Sequence, residues 1–254
     1  MGDLSGKTIL LTGASRGIGA ATARALGESG ASVVAHYGSH RAGAEQAVAA
    51  IEPARKLLLQ ADLSVAGAAR TLWERAVAWR ERIDVLVVNA AVMPETPWDA
   101  ADADWDESWE RTMRVNVLEP ASLIREAVKH YLATGGGTLV TLSSWVAQRG
   151  SAIPQLTAYA ASKAAVKTLT QTVARNHALD GILAYVVAPG IVRTRLSEIS
   201  AATRGGVEAV NAGLAMGEMV PADEVAELIA WLSTGKCRHL TGATLDINGA
   251  SYIR

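Results

Sequence analysis

Tyr159 and Lys163 stand four residues apart in the alanine-rich stretch "LTAYAASKAAVKTL" (156–169). Residues four apart on a helix share a face, so a phenol and an ammonium there can reach one site. An unperturbed phenol titrates near 10, too high to exchange protons freely at neutral pH. A lysine charge about 5 Å away, at an effective dielectric near 20, is worth roughly 3 kcal/mol, or about two pKa units. That would bring the phenol toward the range of a working general acid/base, a proton donor to a carbonyl oxygen and a base in the reverse reaction. An uncoupled Tyr and Lys on a helix surface would show the same spacing, so the pair gains meaning only from its company.

The second chemical signal is "LLTGASRGIGAATARAL" (10–26), where Gly13, Gly17 and Gly19 follow an apolar run and lead into a helical one. Glycines let backbone approach a phosphate, and the helix start beyond them offers free N–H groups and a positive dipole end. The spacing is G-x-x-x-G-x-G rather than the commoner G-x-G-x-x-G. An NAD site usually carries an Asp or Glu at the end of the second strand to hold the ribose 2′-hydroxyl. Here that stretch reads "HYGSHRAGAE", with no carboxylate before Glu45; Ser39, His40 and Arg41 stand there instead, and Arg16 lies in the glycine turn. A missing acid and two guanidinium candidates favour a 2′-phosphate, hence NADP(H). Arginines at such positions are otherwise ordinary solvated surface.

These groups need a scaffold. Short apolar runs recur at 7–13, 31–37, 55–62, 84–91, 137–144, 182–190 and 243–250. Being apolar without alternation, they suit strands covered on both faces. Alanine-rich helical stretches lie between them, for example Ala20–Ser29, Ala42–Glu52 and Ala66–Arg80. The alternation predicts βαβ units and one α/β domain over 1–254: a doubly wound Rossmann-type fold with a mostly parallel sheet of about seven strands and helices on both faces. Residues 193–219, small and polar with a Gly-Gly pair, break this rhythm just past a strand end, where ligands bind in open α/β sheets. They are expected to form a substrate lid.

Bulk composition narrows the classes. The 254 residues are 50% hydrophobic and 19% charged, so a sizeable core is available. A net charge of −1 gives no electrostatic reason for nucleic acid or an acidic membrane as partner. The single cysteine, Cys237, excludes an internal disulfide, and no apolar run reaches membrane-spanning length. A soluble cytoplasmic protein is expected. "DADWDE" (102–107) imitates the start of a calcium loop, but Glu107 and Met113 stand where glycine and glutamate are needed. An acid-rich helix start explains it better. The histidines show no metal-ligand spacing, and no metal is expected.

"TGASRGIG" (12–19), "NAA" (89–91), "VNV" (115–117), "LSS" (142–144), "YAASK" (159–163) and "APG" (188–190) come in an order that resembles the short-chain dehydrogenases/reductases. The likeness runs nearly the whole chain, to "LTGATLDINGA" (240–250). It points to the NADP(H)-preferring branch that contains the 3-oxoacyl-thioester reductases.

The resemblance implies Tyr159 as acid/base, with Lys163 lowering its pKa and binding the nicotinamide ribose. Ser144 would polarise the substrate carbonyl; Ser143 competes, but adjacent strand side chains face opposite ways, and the family pattern favours the second serine. Asn116 would hold a water that passes protons to Lys163. The cofactor is implied to lie against Gly13, Ser15, Arg16, Gly17, Ile18 and Gly19 in the first turn, and Tyr37, Ser39, His40 and Arg41 after the second strand. Asp62 and Leu63 would meet the adenine, Asn89, Ala90 and Ala91 the adenosine ribose side, and Pro189, Gly190, Ile191 and Thr194 the nicotinamide. Family members pair the Tyr159 helix and the "VNV" helix across dimer contacts and usually build tetramers, so a homotetramer, or at least a dimer, is implied.

The chain departs from the pattern at Ala91, where glycine is usual, and at Leu183 and Tyr185, where arginine and asparagine are common. The stretch between Ser144 and Tyr159 is also a couple of residues longer than usual. The reading is therefore an NADP(H)-dependent oxidoreductase acting between a small-molecule ketone or aldehyde and an alcohol. A dedicated 3-oxoacyl-thioester reductase is a rival among enzymes, with Arg193 and Arg195 suggestive of an acidic carrier protein. A non-catalytic dinucleotide sensor is the rival of another class.

Overall fold

The computed structural model of the protein describes residues 2–202 and 204–254. Seven strands form one sheet: β1 (Thr8–Leu11), β2 (Ser32–Tyr37), β3 (Lys56–Gln60), β4 (Val85–Val88), β5 (Gly137–Leu142), β6 (Ile182–Pro189) and β7 (Thr244–Ile247). Their order is β3-β2-β1-β4-β5-β6-β7, and every pairing is parallel. Parallel neighbours need long crossovers, which the helices supply: α1 (Gly17–Glu28), α2 (Arg41–Ala47), α3 (Ala68–Arg80), α4 (Asp102–Met113), α5 (Glu119–Thr134), α6 (Val146–Arg149), α7 (Thr157–His177), α8 (Arg195–Ala202), α9 (Gly206–Ala212) and α10 (Ala222–Ser233).

The unbroken apolar runs become strands buried on both faces. In β1, Ile9 and Leu11 join one core cluster with Leu26 and Ile229. Leu10, between them, joins the other with Trp73, Leu86, Leu123 and Tyr131. Each such side chain, fully buried, contributes about 1.5–3 kcal/mol. Strand order reverses between β1 and β4, so their carboxyl ends splay into the crevice where open α/β sheets bind ligands.

Local differences from expectation have local causes. The helix expected over 42–52 stops at Ala47. Lys56 Nζ donates to the Val48 and Ala49 carbonyls at 3.0 and 3.2 Å, satisfying groups a longer helix would have used, and Pro53 starts a 3₁₀ turn. Tyr185, unusual at its place, is fully buried and donates its hydroxyl proton to the Cys237 carbonyl at 3.2 Å. The 102–107 acids begin α4, with Asp102 and Asp104 in its first turn. Among the described residues no helix is long and apolar enough to cross a membrane.

Candidate active site

The glycine turn joins β1 to α1 under tight steric control. Gly13 has φ +72°, and a Cβ there would stand 2.9 Å from Ala90 Cα. At Gly19 a Cβ would stand 1.9 Å from the Gly13 carbonyl oxygen, so any larger residue would push the turn open. Thr12, buried just before the turn, accepts the Asn89 and Ala90 N–H groups on its hydroxyl at 2.9 and 3.1 Å. The Asn89 amide donates to the Thr12 and Gly13 carbonyls at 2.9 and 3.1 Å. Asn89, implied by resemblance to lie along the ribose, thus spends its amide holding the turn, with Ala90 packed directly on Gly13.

The residues after β2 are brought to the same place. Gly43 in α2 lies so close to the Ser15 carbonyl oxygen and the His40 ring that a Cβ would stand 2.3 and 2.1 Å from them. Ser15 and Arg16 therefore adjoin His40 and Arg41. Arg16 is exposed and has no ion-pair partner among the described residues. Arg41, the other basic candidate, pairs with Glu45 at 2.8 Å, one helical turn on. That pair is exposed and so weak enough to yield to a phosphate. Asp62 ends the next strand's loop beside a cavity of ≈ 480 Å³. Its carboxylate accepts the Ser64 N–H and hydroxyl at 2.9 and 2.7 Å, which holds its pKa below the usual carboxylate value. Leu63 is buried beside it, as is Tyr37 at the end of β2.

On the other side of the crevice, Ser143 and Ser144 follow β5. Ser143 donates to the Lys163 carbonyl at 2.9 Å and is turned into the fold. The Ser144 hydroxyl lies beside the Tyr159 phenol and lowers its pKa, while its oxygen accepts the Val146 N–H at 3.4 Å. Alternation at a strand end has thus left the second serine for the site. Lys163 is buried, donates from Nζ to the Leu142 carbonyl at 2.8 Å, and lies 5.7 Å from the centre of the Tyr159 ring.

The electrostatic balance corrects the simple pair estimate. Burial pushes the Tyr159 phenol up to about 12, and the Ser144 hydroxyl pulls it back only in part. Burial likewise draws Lys163 down to about 8. Loss of water disfavours both charged forms more than the pair stabilises them, because the ammonium is aimed at a backbone carbonyl rather than at the phenol oxygen.

Asn116 occupies a π-helical turn, Arg114–Leu118, between α4 and α5. Its amide accepts the Val92 N–H at 2.8 Å and donates to the Val92 carbonyl at 2.9 Å and to Ser162 Oγ at 3.0 Å. The side chain is fully used in pinning the bulge to the β4 loop and α7. π-bulges of this sort gather at functional sites.

Pro189 and Gly190 close the crevice beyond β6. Gly190 donates its N–H to the Ile247 carbonyl at 3.0 Å, and Thr194 packs where a Gly17 Cβ would stand at 3.0 Å. Ile191 and Val220 are joined by a hydrogen bond of 2.9 Å, so 193–219 leaves and rejoins the fold at one point. Within it α8 and α9 share a small core of Ala201, Val210 and Met219. Thr203, part of the expected lid, lies outside the described residues.

Three further residues escape a reading of the sequence. His36, a polar residue inside an apolar strand, accepts the Gly13 N–H on Nδ1 at 3.1 Å; its Nε2 donates to the Ala61 carbonyl at 3.0 Å. The ring is neutral in this network, and burial lowers its pKa further. Glu119 is a buried carboxylate that accepts the Gly67 and Ala69 N–H groups at 3.0 and 2.9 Å, closing the start of α3 from across the fold. Ser162 supports Asn116. Only His36 left a signal, its polarity.

Residues 13–250 match a family described as enoyl-(acyl carrier protein) reductase. The chain belongs to the short-chain dehydrogenase/reductase family of oxidoreductases. It is 34% identical to 3β-hydroxysteroid dehydrogenase 1 of Eggerthella lenta over 260 residues, covering 99% of this chain and 95% of that one. A 3-oxoacyl (acyl-carrier-protein) reductase from Agrobacterium tumefaciens C58, crystallised with NADP bound, superposes with a TM-score of 0.86 at 32% identity, covering 97% and 95% of the two chains. LugOII, a promiscuous reductase that catalyses keto-reduction at C1 during lugdunomycin biosynthesis, gives 0.86 at 33% identity, covering 98% and 99%.

Proposed function

We propose that the protein is an NADP(H)-dependent oxidoreductase that interconverts a ketone or aldehyde and an alcohol, with Tyr159 as acid/base. The observation that carries this is the Tyr159 phenol set between the Ser144 hydroxyl and the buried Lys163, whose Nζ lies 5.7 Å from the ring centre. The glycine cradle fits a pyrophosphate, and the acid-free stretch from Ser39 to Arg41 beside the unpaired Arg16 fits a 2′-phosphate. Asp62 suits an adenine amine; Pro189, Gly190, Ile191 and Thr194 suit the nicotinamide end.

When bound, NADPH supplies the hydride. Ser144 then donates a hydrogen bond to the substrate oxygen, and Tyr159 delivers a proton to that oxygen as the carbonyl is reduced. Lys163 supports the cofactor ribose and the charge of the phenol in the reverse reaction. Asn116 pins the bulge to Val92 and to Ser162 of the helix that carries Tyr159 and Lys163. A panel of ketones, aldehydes and alcohols followed by NADPH absorbance tests the reading; no turnover of any would refute it.

A second reading, a dedicated 3-oxoacyl-thioester reductase, draws on the likeness to such an enzyme and on the exposed Arg193 and Arg195 at the lid's edge. Faster reduction of an acetoacetyl thioester than of simple ketones would favour it.

NADPH is expected to bind at least tenfold tighter than NADH, about 1.4 kcal/mol. Titration of both settles this, and equal affinities would remove the 2′-phosphate argument. Arg16→Ala should narrow the gap chiefly by weakening NADPH. A homotetramer, or at least a dimer, is proposed as the assembly in a cytoplasmic setting; Leu118 and Leu132 of the bulge and α5 stay 45% and 49% exposed in the single chain. Light scattering at micromolar concentration should give a multiple of 26.5 kDa. A monomer mass would rule it out.

A further inference from the structure

Arg149 ends α6, the single helical turn that follows Ser144. Its guanidinium stands over two aromatic rings, 5.1 Å from the centre of Trp145 and 5.6 Å from that of Tyr252. Among the described residues it has no carboxylate partner and no side-chain hydrogen bond. The nearby acid, Asp246, is already committed: it accepts from Gln148 at 2.7 Å and pairs with Arg254 at 2.7 Å.

Place gives this free cation its interest. Arg149 is five residues past Ser144, and at 1.5 Å of rise per residue the single turn of α6 between them spans only about 6 Å, within the reach of one substrate molecule. The Trp145 backbone N–H donates to the Pro189 carbonyl at 3.0 Å, and the ring lies 3.6 Å from where a Gly190 Cβ would be. The tail carrying Tyr252 is tied to the same wall and to the lid. Asn248 Nδ2 donates to the Tyr252 carbonyl at 3.0 Å, Ala215 donates to Ser251 Oγ at 3.0 Å, and Gly249 packs on Met216. Arg149 thus sits where the Ser144 loop, the tail and the lid meet. Ring contacts restrict the guanidinium before any ligand arrives, so less freedom is lost when its N–H fork engages an anion.

We propose that Arg149 reads a negative charge on the substrate, so that the site takes oxo compounds and alcohols bearing a carboxylate a few bonds from the reacting carbon. This rests on the oxidoreductase reading above. The test compares 4-oxopentanoate and 5-oxohexanoate with their methyl esters, in the wild type, Arg149→Met and Arg149→Lys. Wild-type kcat/KM should favour each acid over its ester by about tenfold, carried in KM, as a charge-assisted contact would give. Arg149→Met keeps an unbranched apolar chain and should bring the ratio to about one, with Arg149→Lys restoring part of it. A wild-type ratio at or below one, or one unchanged in Arg149→Met, overturns the proposal.

Melting of the NADPH-saturated protein separates the two ideas. An acid-specific rise in the wild type that vanishes in Arg149→Met, with neither acid nor ester reduced, would uphold the anion site and sink the oxidoreductase reading. Neither rise nor turnover overturns both.

Discussion

Tyr159→Phe is expected to lower turnover at least a hundredfold while NADPH affinity changes by no more than about twofold. The substitution keeps the ring and its apolar area but removes the hydroxyl that meets Ser144. Because burial holds the phenol up to about 12, the group is protonated throughout the neutral range, which suits the donor role proposed for it in reduction. In the proposed reverse reaction the base is the phenolate, whose fraction grows as pH rises, so alcohol oxidation should climb toward alkaline pH. Steady-state rates from pH 6 to 10 in both directions read this out. A dinucleotide sensor makes the opposite forecast, since its output would survive Tyr159→Phe. A variant as active as the parent, on any carbonyl the parent reduces, would return Tyr159 to ordinary helix surface.

Lys163→Met should cost at least as much turnover and should also weaken NADPH, yet raise the stability of the protein without cofactor. Burial lowers Lys163 from 10.5 to about 8, so its charged form costs the fold about 3 kcal/mol at neutral pH. Between these values the unfolded chain binds more protons than the folded one. Stability therefore rises with pH through that window, and the cost is fully present below pH 8. Methionine removes the cost but leaves the Leu142 carbonyl without its donor, an offset of about 1–3 kcal/mol. The net expectation is a gain of about 1 kcal/mol at pH 7, a shift of roughly 2–4 °C in Tm. The advantage should shrink or reverse by pH 10, where the wild-type lysine is neutral. Equal differences at pH 7 and pH 10 would show that no buried charge was relieved. A gain in stability with a loss of turnover is what a site held under electrostatic strain should give.

The Thr194–Gly17 contact and the pairing of Arg41 are set by the folded chain. Thr194, four residues past the "APG" motif, and the glycine turn were each visible in the chain, but their meeting across the crevice depends on strand order. Arg41 was visible as a basic residue in an acid-free stretch. Its pairing with Glu45 follows from α2 beginning at Arg41, which puts the two one turn apart. Asn89 was visible as part of a motif, yet its amide serves the glycine turn.

What the sequence determined by itself was periodic or local. Unbroken apolar runs between helical stretches led to strands buried on both faces, and glycines before a helix led to a tight turn between β1 and α1. A tyrosine four residues before a lysine led to one shared helix face. Such features depend on neighbours along the chain, so the chain displays them. Tertiary structure decided which serine faces the site, how the sheet reverses between β1 and β4, and which charges remain free. It also decided the protonation balance of Tyr159 and Lys163. A pair estimate along a helix contains the attraction between the groups, but the water each loses is removed by the tertiary packing of α7. Desolvation is a property of the folded surroundings, and here it outweighs the attraction that the spacing displays.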